Sequence, residues 1–280
     1  MAELLSGKGA AAAIRAELAA RIAQLGFAPR LALLRVGDHP DDLAYIHSIE
    51  RQCAALGIDI EHFALPPGSS TGALLCSVDA INARRDLHGC LLLRPLPEGI
   101  DETAVCDALA PEKDIDGMSS RSLGALFVGD QTAFAPCTAQ ACVELLDYYQ
   151  LPVAGRHAVV LGRSLVVGRP LGQLLLQRDA TVTVCHSKTR NLPALCRGAD
   201  LLISAVGQPE LVDAGYLRAG QIVLDVGTTM QGERLLGDVN ATDAETIVRA
   251  WSPVPGGVGA VTTAVLLRNL VTAAERMKNS

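Results

Sequence analysis

The run Val159-Val160-Leu161-Gly162-Arg163-Ser164-Leu165-Val166-Val167-Gly168-Arg169-Pro170 constrains this chain more than any other stretch. Val159 to Leu161 read as the end of a buried strand, a tight turn holding Gly162 and Gly168 follows, and an apolar helix begins behind it. Strand, glycine turn and helix make the first half of a βαβ unit. Small residues in such a turn let backbone approach a pyrophosphate, and the helix N-terminus offers free N–H groups and a favourable dipole. The spacing departs from G-x-G-x-x-G, because Ser164 stands at the second glycine position and the last glycine comes one residue late. The same run also suits a ligand-free glycine turn in any α/β protein.

A chain of 280 residues is long enough for one large or two medium domains, and 49% hydrophobic against 19% charged residues supplies ample core. Aromatics are only 3%, so that core is built from Leu, Val, Ile and Ala. A net charge of −6 argues against nucleic acid or a membrane surface as the main partner. The longest apolar runs, such as Leu91 to Leu93, fall far short of a membrane span. Met1 to Lys8 lacks the charged start and apolar stretch of a signal peptide. The eight cysteines are scattered without a C-x-x-C pair, the pattern of reduced thiols, which predicts a cytoplasmic chain with no metal site.

Strands alternate with helices along the whole chain, which predicts crossover connections and a mainly parallel sheet. In the first half the pattern gives a helix over 8–25, a strand at Arg30–Val36 and a turn at Gly37–Pro40. A helix capped by Asp41 or Asp42 then runs to about Leu56. A strand near Ile58–Leu65, a helix over Thr71–Ala83 and a short strand at Cys90–Leu93 follow. The second half gives strands near His157–Leu161, Thr181–Cys185, Leu201–Ala205 and Ile222–Val226, with a linker near Pro152 after a helix at Thr138–Tyr149. The last apolar helix, about Val261–Lys278, is expected to be largely buried.

Several short runs carry chemistry. The strand ending at Cys185 leads into His186-Ser187-Lys188-Thr189-Arg190. The second strand of a dinucleotide fold ends where the adenine ribose lies, and an acid there favours a free 2′-OH. Here stand Arg163, His186, Ser187, Lys188 and Arg190 and no acid, which points to NADP rather than NAD; a solvated basic turn has the same composition. Pro253-Val254-Pro255-Gly256-Gly257-Val258-Gly259 suits either backbone pressed on a flat ligand or a rigid interdomain turn. Pro111 to Gly117 sets Asp114 and Asp116 beside a glycine; either this is only a turn, or one buried Asp accepts from an amino-heterocycle. Tyr45 and Ile49 are i,i+4 neighbours on one helix face.

Together and in this order, these runs resemble the bifunctional methylenetetrahydrofolate dehydrogenase/methenyltetrahydrofolate cyclohydrolase family over nearly the whole chain. The resemblance is carried by Arg35-Val36-Gly37, Tyr45, Pro95-Leu96-Pro97, Pro111 to Gly117, Pro136-Cys137-Thr138 and Gly162 to Pro170. Cys185 to Thr189, Asp225-Val226-Gly227, Gly237-Asp238-Val239 and Pro253 to Gly259 extend it. It implies an α/β fold of two domains with a folate cleft between them. An N-terminal catalytic domain would span 1–138, completed by the C-terminal helix 262–280, and a Rossmann-like NADP domain would span 139–261. A homodimer is implied as well. Tyr45 would stack near the folate ring, Asp116 would contact the pterin, and Leu92, Pro255, Gly256 and Gly257 would line the substrate site. Tyr45 and Asp116 are thus the catalytic candidates. Arg163 and Ser187 would meet the 2′-phosphate. The remaining cofactor candidates are Gly162, Ser164, Val167, Gly168, His186, Val206, Gly207, Gly227 and Thr228.

The departures from the family matter as much. Its acid/base Lys, four residues after the Tyr, is Ile49 here, and the Gln that tunes that Lys is Leu93. His88 and Ala260 replace a usual Asp and Pro. Oxidising the bridging methylene needs alignment of a C–H bond with the nicotinamide. Hydrolysing the resulting cation needs proton removal from water and proton delivery to nitrogen. The expected activity is therefore NADP-dependent oxidation of 5,10-methylenetetrahydrofolate with weak or absent cyclohydrolase activity. Three alternatives stand beside it: a fully bifunctional enzyme with a substitute base, a silent folate- or NADP-binding protein, and an NADP oxidoreductase acting on another small substrate.

Overall fold

The computed structural model describes all residues except His39, Glu233 and Ser280, and leaves aside the side chains of Pro40, Asp41, Asp42 and Ala44. The expected capping by Asp41 or Asp42 and the middle of the 37–40 turn therefore lie outside the described residues. In chain order the elements begin β1 (Glu3–Leu4), α1 (Gly7–Leu25), β2 (Arg30–Val36), α2 (Pro40–Leu56), β3 (Asp59–Leu65), α3 (Thr71–Ala83) and β4 (Gly89–Leu92). Next come α4 (Glu102–Ala108), a 3₁₀ turn (Pro111–Lys113), α5 (Ser120–Val128), α6 (Cys137–Tyr148), β5 (His157–Leu161), α7 (Gly168–Leu176) and β6 (Thr181–Cys185). The chain closes with α8 (Leu192–Arg197), β7 (Leu201–Ser204), β8 (Ile222–Asp225), β9 (Thr229–Gln231), β10 (Arg234–Leu236), α9 (Ala241–Ile247), β11 (Ala250–Trp251) and α10 (Val258–Lys278).

These elements form two compact units. One comprises Ala13–Cys137 with Thr263–Ser280, and holds Tyr45; the other comprises Met1–Ala12 with Thr138–Thr262, and holds Gly162. The first twelve residues cluster with the Gly162 unit. The reason is pairing: β1 adds to β11 in parallel, Glu3 opposite Ala250 and Leu4 opposite Trp251. The expected linker at Pro152 lies inside the Gly162 unit, in the α6–β5 connection. Pro152 marks the turn into β5, and the change of unit comes earlier, at Thr138.

The Tyr45 unit has a parallel sheet in the order β3-β2-β4. Every described pairing of its strands is parallel, because each strand is followed by a helix that carries the chain back. One face packs Ala32, Leu34, Val36 and Cys90 against Leu74, Val78 and Ile81 of α3 and Val105 of α4. On β4, a Cβ at Gly89 would fall 2.6 Å from Ile115 and 3.0 Å from Leu270 of α10, so glycine there admits the C-terminal helix. Ser70 starts α3 by accepting from Ala73 N–H (3.3 Å), and left-handed Gly129 ends α5. Lys113 is buried and closes the other end of α3. Its ammonium donates to the carbonyls of Ile81 (2.5 Å), Asn82 (3.0 Å) and Arg84 (2.5 Å).

The Gly162 unit has one six-stranded sheet, β1-β11-β8-β7-β5-β6, with every pairing parallel, and a separate β9–β10 hairpin. From β5 the chain steps outward to β6 and then returns past β5 to β7. The strand order therefore reverses between β5 and β7, and ligands of open α/β sheets bind beyond the carboxyl ends at such a point. The core beneath includes Val159, Leu161, Leu202, Val223 and Trp251. Replacing Lys113 with Met would leave three carbonyls without their donor. Denaturant unfolding should show a loss of about 1–3 kcal/mol; an unchanged midpoint would show that the α3 terminus does not need the ammonium.

Candidate functional site

In the Tyr45 unit, the carboxyl end of β4 runs through Leu93 and Arg94 into a cis peptide at Pro95. Arg94 is fixed from two sides. Its guanidinium lies 3.3 Å from Glu102 and 3.6 Å from Asp116, and Glu102 also accepts from Leu96 N–H (3.2 Å). Leu92, Arg94, Asp116 and Cys106 line a cavity of ≈ 20 Å³, room for about one water.

The two acids of the 111–117 run part company in the structure. Asp114 is buried and fastens the backbone, accepting from Met118 N–H (3.0 Å), Ser119 N–H (2.9 Å) and the Ser122 hydroxyl (2.6 Å). Gly117 turns at φ +67°, and a Cβ there would fall 2.4 Å from the Phe134 carbonyl. This turn leaves Asp116 facing Arg94. A quarter of the Asp116 side chain stays exposed (24%), yet its surroundings desolvate the carboxyl and push it above the ordinary carboxylate range. Arg94 and Cys137 pull it partly back.

Tyr45 on α2 keeps 38% of its surface exposed while its hydroxyl end is desolvated. That burial, with the charge of Asp116 nearby, holds the phenol well above its ordinary value; a hydrogen bond with Thr263 acts the other way. One turn on, Ile49 is fully buried, and Leu93 is 6% exposed. Neither position carries an ionisable or hydrogen-bonding side chain. The structure thus brings Tyr45, Asp116, Arg94, Cys137 and Thr263 of one unit into mutual influence. Pro255, Gly256 and Gly257 belong to the Gly162 unit, where Gly256 (φ +97°) accepts from Gly7 N–H (2.8 Å).

In the Gly162 unit the β5–α7 turn is built from close backbone contacts. A Cβ at Gly162 would fall 2.4 Å from the Ala205 carbonyl beyond β7, and one at Gly168 would fall 2.1 Å from the Gly162 carbonyl. The turn therefore has no room for side chains where backbone must fold over the switch point. Ser164 accepts from Val167 N–H (3.1 Å), which organises the entrance to α7. Leu161 pairs with Cys185, so Arg163 and Ser187 each lie two residues beyond paired strand ends, and both are exposed. His186 is held within its turn: its N–H donates to the Thr189 hydroxyl (2.9 Å) and its Nδ1 accepts from Lys188 N–H (3.1 Å).

Beneath the neighbouring turns sit two buried acids that the sequence reading gave no role. Asp238 accepts from the Ser204 hydroxyl (2.9 Å), Val206 N–H (2.7 Å) and Gln208 N–H (2.8 Å). Asp225 accepts from Gly227 N–H (3.1 Å), Asp238 N–H (3.0 Å) and Val239 N–H (2.9 Å). The signal was present in Asp225-Val226-Gly227 and Gly237-Asp238-Val239. A Cβ at Gly237 would fall 1.9 Å from the Asp225 carboxylate, and one at Gly227 would fall 2.0 Å from that of Asp238. Cys137 and Thr263 were likewise given no role by the sequence; like Arg94, each reaches the site only through tertiary folding.

Comparison with known proteins shows the family. Residues 5–116 match the catalytic domain of tetrahydrofolate dehydrogenase/cyclohydrolase, and residues 136–278 match the NAD(P)-binding domain of the same family. The chain is 44% identical over 281 residues to the bifunctional protein FolD of Carboxydothermus hydrogenoformans, covering 98% of each. The crystal structure of the bifunctional FolD dehydrogenase/cyclohydrolase of Campylobacter jejuni superposes with a TM-score of 0.96 at 35% identity, over 99% of each chain. The Trypanosoma brucei FolD, solved with NADP cofactor and an inhibitor, gives a TM-score of 0.93 at 34% identity, over 98% of each chain.

Burial, joined by the charge of Asp238, outweighs the three N–H donors on Asp225 and pushes its carboxyl up to about 7. The folded chain then keeps a proton that the unfolded chain releases above about pH 4. The contribution of Asp225 to stability is fully present below that pH and is lost as pH rises to about 7. Unfolding free energies of the wild type and Asp225→Asn, measured from pH 4 to 8, should show the wild type losing ground to the variant up to about pH 7. A pH-independent difference would contradict the shift.

Proposed function

Because the chain belongs to the tetrahydrofolate dehydrogenase/cyclohydrolase family, we propose that it oxidises 5,10-methylenetetrahydrofolate to the 5,10-methenyl compound with NADP, and hydrolyses the product weakly or not at all. The observation that carries this reading is the apolar pair Ile49, one helical turn after Tyr45, and Leu93, both buried and neither ionisable.

Asp116 is the acceptor for the pterin, since a carboxylate aimed at an amino-heterocycle takes up its N–H donors. Arg94 supports the ionised form of that carboxylate, and Glu102 keeps Arg94 in place. Tyr45 offers an exposed ring face for stacking. The Gly162 unit suits NADP by its own geometry: the Gly162–Gly168 cradle is one that side chains would fill, and Arg163 and Ser187, each two residues beyond paired strand ends, are our candidates for the 2′-phosphate of such a nucleotide. NADP, when bound, supplies the hydride acceptor. The folate nitrogen lone pair stabilises the cation left behind, so the residues around it need only hold the substrate in line.

Hydrolysis of that cation demands more from the side chains. Water must lose a proton and nitrogen must gain one. Ile49 and Leu93 offer no titratable atom, the Arg94 guanidinium has donors only and no atom to accept a proton, and the raised Tyr45 phenol is not ionised near neutrality. A second reading, full bifunctionality, is favoured by the names of the relatives and by Asp116, whose raised carboxyl makes it the best substitute base present.

Beyond the reaction, a homodimer and a cytoplasmic setting complete the proposal. β6 is an edge strand with Val184 exposed, a ready template for pairing. All eight cysteines are free, as reducing surroundings keep them. No described helix is long and apolar enough to cross a membrane. Light scattering on the purified chain reads the dimer directly.

Two assays test the reaction. NADPH formation from methylenetetrahydrofolate should be readily measured, while loss of the methenyl compound should proceed near the buffer rate. Brisk enzymatic hydrolysis would establish the bifunctional reading instead. The double variant Ile49→Lys with Leu93→Gln should raise hydrolysis by roughly 10²–10⁴-fold. In a separate experiment, Arg163→Ala should raise KM for NADP about tenfold and leave KM for NAD nearly unchanged, the difference expected when one 2′-phosphate contact is lost. Equal effects on both cofactors would remove Arg163 from the 2′-phosphate site.

A further inference from the structure

We propose that Asp238 is a positioning residue for the nucleotide, its buried carboxylate setting the shape of the two strand-end turns, 205–208 and 226–228, that carry Val206, Gly207 and Gly227. The inference rests on the NADP reading of the Gly162 unit and assigns this acid a part in it.

Asp238 is fully buried. One oxygen accepts both the Ser204 hydroxyl at the end of β7 and the N–H of Val206; the other accepts the N–H of Gln208. Two peptide groups that flank Gly207 are thus aimed inward at a single carboxylate. Gly207 between them adopts φ +65°, so the turn is wrapped around the acid. On its other side the same carboxylate occupies the space where a side chain at residue 227 would lie, 2.0 Å from the ideal Cβ position. One group therefore sets the turn beyond β7 and the turn beyond β8 at once.

Asp225 holds Asp238 in register. It accepts from the backbone N–H of Asp238 and of Val239, and from Gly227 N–H, so the turn beyond β8 is anchored at both acids. The Ser252 hydroxyl donates in turn to the carbonyl of Asp225 (3.4 Å) and accepts from its N–H (2.9 Å). The layer lies directly under the carboxyl edge of β7 and β8, beside the Ala205 carbonyl on which Gly162 closes. A shift of these turns moves the floor of the crevice without touching the β5–α7 turn.

An amide cannot reproduce the arrangement. Asp238 takes three donors, and an Asn there must present its NH₂ to at least one N–H or O–H that is already donating. The distortion falls on the turns at residues 206–208, and it should be read as cofactor affinity.

Titration of the full-length wild type with NADP comes first; no binding would overturn the NADP reading itself and this inference with it. For Asp238→Asn, NADP binding should weaken at least fivefold, with kcat/KM falling through KM for NADP and KM for the folate substrate within twofold of wild type. Ser204→Ala, a milder change that removes one of the three donors, should weaken NADP binding two- to fivefold. Asp200→Asn is the control, because Asp200 accepts from His157 N–H (3.1 Å) and Arg218 (2.8 Å) at the opposite end of the same sheet. It should lower the melting temperature and leave NADP affinity within twofold. Folded Asp238→Asn with NADP affinity reduced less than fivefold would overturn the proposal, as would an equal loss in Asp200→Asn. Should Asp238→Asn fail to fold, Ser204→Ala decides: unchanged affinity there overturns it.

Discussion

Parallel strands deliver their loops to one edge of the sheet, and those loops arrive with backbone N–H groups that no ladder satisfies. Buried in a compact unit, each such group needs an acceptor. In the Gly162 unit two aspartates collect them, and in the Tyr45 unit Asp114 does the same for the turn into α5. Asp114 gathers Met118, Ser119 and Ser122 around the turn that presents Asp116. Asp225 and Asp238 together gather five backbone N–H groups and one hydroxyl beyond β7 and β8. The surface chemistry follows from this fastening. A carboxylate under a turn fixes which peptide groups point inward, and so which residues are left to face a ligand.

Such a hub restricts its neighbours sterically as well as electrostatically. Gly227 and Gly237 are small because a carboxylate stands where their side chains would begin. The same logic operates in the β5–α7 turn, where the occupying atoms are the carbonyls of Ala205 and Gly162. Glycine therefore serves two different purposes at this edge: it opens the cradle to backbone, and it makes room for the acids beneath. Conformational freedom matters at Gly162 (φ +114°) and Gly207 (φ +65°), whereas at Gly168 and Gly227 the lack of a Cβ is the whole reason.

Local patterns made much of this legible. β5, β6, β2 and β3 announce themselves as short apolar or β-branched runs between turn residues, and the alternation with helices already implies parallel sheets. What escaped was long-range. β1 and β11 are two residues each, too short for any periodicity, and exist only because they pair with one another and with β8. That pairing moves the first twelve residues into the Gly162 unit. Pro152 reads as a linker because proline breaks helices, but the same property serves equally to turn α6 into β5. Asp114 and Asp116 look alike in sequence; only the tertiary placement of Arg94 and of the 118–122 backbone separates the structural acid from the partly exposed one. The partners of Arg94 could not be read locally, since Glu102 and Asp116 are 8 and 22 residues away.

The buried positions 49 and 93 show what apolar side chains gain there. Ile49 is fully enclosed, so an amine in its place would give up hydration and need partners from the surrounding side chains. Leu93 is 6% exposed, so an amide there would likewise need partners for its own polar atoms. Apolar side chains at both positions carry no such requirement and add van der Waals contacts to the core. A proton carrier matters most to a reaction that must move protons and least to one that moves a hydride between aligned carbons, and that difference is what separates the two halves of the proposed activity.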